Sequence, residues 1–195
     1  MYKRQIVNEC LWIDGDENFM GLVTQVQGNK VTFRLMKDYR AKSRTRVWGI
    51  HARNREQNMA INLLMDPEID FVTILGQAGT GKTLMTLAAA LTQTIDERRF
   101  SEIIMTRATV SVGEDIGFLR GRTFLQKFVI IDEAQNLSPK QMKTLITRAG
   151  PGTKIVCLGN IAQIDTPYLT EGSSGLTYVV ERFQGWQHAA TITLT

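Results

Sequence analysis

At 195 residues the chain is long enough for one α/β domain with a substantial core plus a small appendage, and too short for two full-sized domains. Its 43% apolar and 22% charged residues exclude wholesale disorder, and no apolar run reaches the roughly 20 residues of a membrane span, so no membrane association and a cytoplasmic location are expected. Cys10 and Cys157 are too few for a disulfide framework, two histidines give no zinc-ligand spacing, and a net charge of +4 leaves room for a polyanionic partner.

In chain order, Gln5 to Ile13 reads as a strand. Val31, Phe33 and Leu35 alternate with Thr32 and Arg34, Leu22 to Val26 behaves similarly, and Gln27-Gly28-Asn29 supplies the turn of a small β meander. A chain that opens in strand points to a protein extending upstream of Met1. Lys37 to Arg46 sets five basic residues (Lys37, Arg40, Lys42, Arg44, Arg46) against Asp38, as a linker or edge loop that either touches a polymer or is simply solvated. The division expected is residues 1–46 for meander and basic linker, and 47–195 for the main domain. Asn54 then caps a helix over 54–65 that buries Ala60, Ile61 and Leu64, with Gln57 at the third position of a capping box.

Ile69 to Leu75 is a β-branched strand. It leads through a glycine-rich loop into a helix with Leu84, Leu87, Ala88 and Leu91 on one face. Ile103 to Thr106 and Lys127 to Ile131 are almost wholly apolar strands, as in a parallel sheet covered on both faces, and Ile155 to Leu158 is the next strand. Ser138-Pro139-Lys140-Gln141 opens a helix with an N-cap, a proline at the first position and a capping box; Gly150-Pro151-Gly152 closes it. Leu176, Val179, Val180 and Phe183 mark a last helix, and Thr191 to Leu194 a closing strand. The alternation defines an α/β fold with a doubly wound parallel sheet.

Gly76-Gln77-Ala78-Gly79-Thr80-Gly81-Lys82-Thr83 fits the phosphate-loop pattern at every fixed position and lies between strand and helix. Its backbone N–H groups and the helix N-terminus suit the phosphates of ATP, Lys82 the β/γ oxygens, and Thr83 a Mg²⁺ ion. Asp132 and Glu133 stand at the end of a buried strand, where Asp132 can hold Mg²⁺ through water and Glu133 can orient and deprotonate an attacking water. Gln163, after the next strand, fits a γ-phosphate sensor or a polar turn. Gln57 either reads the adenine edge or only caps its helix.

Thr73 to Arg107, Asp132 to Leu137, Thr147 to Gly150, Gly159 to Asp165 and Glu171 to Leu176 together resemble the PhoH-like ATPase family. The resemblance implies a RecA-like core related to superfamily 1 helicases. It also implies a homo-oligomeric ring, taken as a hexamer, an upstream PIN-type ribonuclease domain in some members, and action on RNA. Family members usually carry an extra stretch after the motif Glu114 to Leu119, whereas here Arg120-Gly121-Arg122-Thr123 follows at once. With no second RecA-like domain in the chain, a neighbouring subunit is expected to lend an arginine, Arg148 first and Arg182 second. Thr106, Arg107, Arg120 and Arg122 are the expected contacts to single-stranded nucleic acid. The expected function is Mg²⁺-dependent ATP hydrolysis coupled to RNA, set against an ATP-gated scaffold, a DNA-directed helicase or a small-molecule kinase.

Overall fold

A computed structural model describes residues 5–41, 44–108 and 123–195. Three antiparallel strands, β1 (Cys10–Ile13), β2 (Asp16–Gln27) and β3 (Lys30–Leu35), form the N-terminal meander. Strand β1 is shorter than expected, because the chain turns at Asn8, whose backbone takes φ 64°. The Asn8 amide donates instead to the carbonyls of Gln187 and Ala189, which pins the entering chain to the far end of the protein. Leu22 and Val23 are buried, whereas Phe33 and Leu35 remain open to solvent.

Five parallel strands make the main sheet: β4 (Phe71–Gly76), β5 (Glu102–Arg107), β6 (Lys127–Asp132), β7 (Lys154–Gly159) and β8 (Ala189–Leu194), in the order β5-β6-β7-β4-β8. Helices α1 (Arg55–Met65) and α2 (Lys82–Leu91) cover one face, α3 (Pro139–Ile146) and α4 (Gly175–Phe183) the other. The period-2 alternation of strand side chains divides the core accordingly. Phe128, Ile130, Val156 and Leu158 face α1 and α2, and Val129, Ile131, Ile155 and Cys157 face α3 and α4. This is a RecA-like P-loop architecture with a small antiparallel sheet added.

Three expectations need correction. Strand β5 lies at the sheet edge, so its apolar residues are only half covered and Met105 is exposed. In α2 the buried residues are Met85, Thr86 and Ala88 to Ala90, and Leu84 points to solvent, because a small-residue face lets the helix approach the sheet closely. Helix α3 ends at Ile146 rather than at Gly150, since the backbone beyond it is claimed elsewhere: Phe124 N–H donates to Arg148 O and Gly150 N–H to Phe124 O.

Three tethers hold α1 in place. Lys154, wholly buried at the start of β7, donates from its amine to the carbonyls of Leu64 and Asp66, satisfying the orphan acceptors at the helix C-terminus. Burial, reinforced by Arg99, drives the Lys154 amine well below the ordinary lysine range. Arg34 of β3 pairs with the buried carboxylate of Asp66, joining the meander to the same helix end. The Lys37 to Tyr39 backbone is also held on α1, through Asn58 and Asn62.

Candidate nucleotide site

The phosphate loop leaves β4 at Gly76 and enters α2 at Gly81. Gly81 caps the helix in the left-handed region at φ 86°, and no side chain caps it, so the first N–H groups of α2 keep their donors for an anion. Lys82 lies back across the loop, its amine donating to Gly76 O at 2.6 Å and Gln77 O at 2.7 Å. Desolvation lowers its pKa, and the nearby carboxylates of Glu133 and Asp132 partly offset this. Thr80 braces the curl through its hydroxyl on Gln77 O, and Gln77, Ala78 and Gly79 form the solvent-facing rim. Thr83 follows Lys82 on the first turn of α2.

Gln57 reaches this loop from the first turn of α1. Asn54 caps α1 by accepting from Gln57 N–H, while the Gln57 side chain accepts from Arg53 N–H and donates to Thr80 O at 3.0 Å. Its amide therefore braces both the helix entrance and the phosphate loop.

Asp132 is the last residue of β6, separated from the loop-bearing strand β4 by β7 alone. The next residue, Glu133, adopts φ 54°, a left-handed conformation that is uncommon for a residue with a side chain and typical of functional sites. Two donors hold its carboxylate. Arg107 approaches Oε1 at 3.3 Å, and the amide of Gln135 donates to Oε2 at 2.7 Å. Gln163 is held by its backbone after β7, its carbonyl accepting from the same Gln135 amide, and its side chain faces solvent.

Gln135 is the site residue that sequence reasoning missed. It is fully buried, and its Oε1 accepts from Asn160 N–H at 3.2 Å. The available signal was Gly159 at a strand end, where even a methyl group would lie 2.3 Å from that oxygen.

The other candidates scatter. Arg107 ends β5 beside Asp132 in the sheet register, and Thr106 precedes it. Arg148 lies next to Phe124, upstream of β6, and so at the opposite end of the sheet from Glu133, about 20 Å away for six strand residues. It is half-buried, and its Nη1 has no hydrogen-bond partner among the described residues. Arg182 is exposed on the last turn of α4. Arg120 and Arg122, and the Glu114 to Leu119 motif, lie outside the described residues. Among the described residues no cluster of three or more His, Cys, Asp or Glu side chains is placed to hold a metal ion, and no helix is long and apolar enough to cross a membrane.

A phosphate loop on one strand of a RecA-like parallel sheet, with paired acids two strands away at the same edge, defines a P-loop NTPase fold. The profile of the PhoH-like protein family matches residues 49–120 and 115–195, and the chain belongs to that family. It is 38% identical over 197 positions to Protein PhoH2 of Bacillus subtilis (strain 168), covering 76% of this chain and 45% of that protein. It is 32% identical to Protein PhoH2 of Thermobispora bispora, covering 76% and 44%, and 31% identical to the PhoH-like protein of B. subtilis, covering 64% and 52%. The chain thus spans about half the length of the curated relatives it matches. The two family matches overlap at residues 115–120.

Proposed function

We propose that the chain hydrolyses ATP with Mg²⁺ and couples turnover to single-stranded RNA. The observation that carries this reading is the convergence of the uncapped α2 N-terminus, Lys82 and the Asp132-Glu133 pair on one edge of the sheet. The α2 N–H groups and Lys82 bind the phosphates, the lysine leaving its two loop carbonyls to do so. Thr83 and Asp132 would hold the metal, a hydroxyl and a carboxylate that suit an ion keeping much of its coordination for phosphate and water. When bound, Mg²⁺ neutralises charge developing on the β/γ oxygens. Glu133 orients the attacking water and takes its proton, and Gln163 senses the γ-phosphate.

The remaining parts of the proposal follow from position. Thr106 and Arg107 meet the polymer backbone at the same sheet edge. Arg148, remote from its own phosphate loop, or Arg182 completes a neighbour's site in a homo-oligomeric ring, a hexamer in our reading. A PIN-type ribonuclease domain upstream would make RNA the natural polymer. The ion pair between Arg107 and Glu133 favours a second reading, an ATP-gated scaffold with little turnover, because the guanidinium occupies one oxygen of the carboxylate that would have to meet the water.

The test is ATPase activity of the full-length protein titrated with single-stranded RNA and DNA, with particle size measured alongside. RNA-stimulated turnover that Glu133→Gln abolishes while ATP binding persists is expected. Turnover retained by Glu133→Gln would refute the assignment of the base, and polymer-independent turnover would favour the scaffold.

A further inference from the structure

We infer that Gln135 is a positioning residue whose amide fixes the Glu133 carboxylate and locks it to the loop carrying Gln163. The inference rests on the reading of Glu133 as general base. Gln135 lies two residues beyond Glu133 in a short 3₁₀ turn and is fully buried. Its Nε2 donates to Glu133 Oε2 at 2.7 Å and to the Gln163 carbonyl at 2.9 Å, and its Oε1 accepts from Asn160 N–H at 3.2 Å. Only this orientation of the amide works, because the reverse would set its oxygen against a carboxylate and a carbonyl and its NH₂ against an N–H.

Both amide hydrogens are therefore spent, one on the base and one on the sensor loop. The Glu133 side chain is about one-third exposed, so burial does not require the first of these bonds. Its second holder, Arg107, is two-thirds exposed and makes a longer contact of 3.3 Å. Gln135 is thus the fixed support and Arg107 the exchangeable one. A displacement of the Asn160 to Gln163 loop is transmitted through one rigid amide to the oxygen next to the attacking water, which makes base and sensor a single mechanical unit. Misplacement of a catalytic group by about 1 Å can cost about 10²-fold in rate.

Gln135→Glu provides the test. It keeps the shape and the acceptor toward Asn160 N–H but replaces the donor with a carboxyl group. A carboxyl group at position 135 offers at most one hydrogen where the amide offers two, so it cannot hold both the Glu133 carboxylate and the Gln163 carbonyl. Gln135→Glu is expected to lower kcat about 10- to 100-fold with the KM for ATP within about 2-fold. Gln135→Met, which has no donor, is expected to lose kcat at least as far, again with KM held. Wild-type kcat in Gln135→Glu or in Gln135→Met overturns the inference. Glu133→Gln run in parallel separates the two failures: if that variant still turns over, the general base was misassigned, whereas if it is inactive and both Gln135 variants behave as wild type, only the positioning role falls.

Discussion

Gly159→Ala tests the crowding on which the site depends. A methyl group there would lie 2.3 Å from Gln135 Oε1 and 2.7 Å from Leu176 Cδ2. Leu176 is fully buried, as is Gln135, so neither has open space behind it. Reaching ordinary contact near 3.4 Å requires the amide oxygen to retreat by about 1 Å, which breaks its bond to Asn160 N–H and pulls Nε2 from Glu133. Overpacking costs roughly 1–3 kcal/mol and an orphaned donor about 1–3 more. A loss of roughly 2–6 kcal/mol should lower the thermal midpoint by about 4–24 °C for a chain of this size. Calorimetry of the variant measures this directly, and ATPase assays should show turnover falling with it. A midpoint within about 1 °C of wild type would refute the packing argument.

Other substitutions probe separate contacts. Because the folded-state pKa of Lys154 is depressed, the unfolded chain binds more protons between that value and the ordinary 10.5, and stability should rise with pH across this window by up to ~1.4 kcal/mol per unit. Lys154→Met should flatten that slope in urea titrations and cost about 1–3 kcal/mol in total for the two hydrogen bonds lost, since Leu64 O keeps the Gln93 amide and Asp66 O keeps Ile69 N–H. Arg107→Ala is expected to weaken single-stranded RNA binding and reduce the slope of log affinity against log salt by about one, read by fluorescence anisotropy. The Cys157 thiol, pushed up by burial on β7, should resist iodoacetamide at about pH 8 until the protein is unfolded, as mass spectrometry would show.

What the sequence made legible was local. The phosphate loop is a contiguous pattern, and the starts of α1 and α3 are set by caps four residues long: Asn54 to Gln57, and Ser138 to Gln141 with its full reciprocal box. Glu133 was legible as an acid after a buried strand, but its left-handed backbone was not. The end of α3 was misjudged because Phe124, more than twenty residues upstream, captures the backbone after Ile146 before the glycines act.

The order of the strands, the exposure of β5, the direction of Leu84 and the role of Gln135 depended on tertiary structure. Nothing near Gln135 in the chain distinguishes it from an ordinary turn residue; its partners Asn160 and Gln163 lie 25 and 28 residues further on. The sequence by itself determined which segments become strands and helices and where phosphate chemistry resides, because hydrogen-bond caps and side-chain periodicity act over a few residues. Only the tertiary structure decided which side chains share a buried space, because that depends on close packing between segments that the chain order keeps apart.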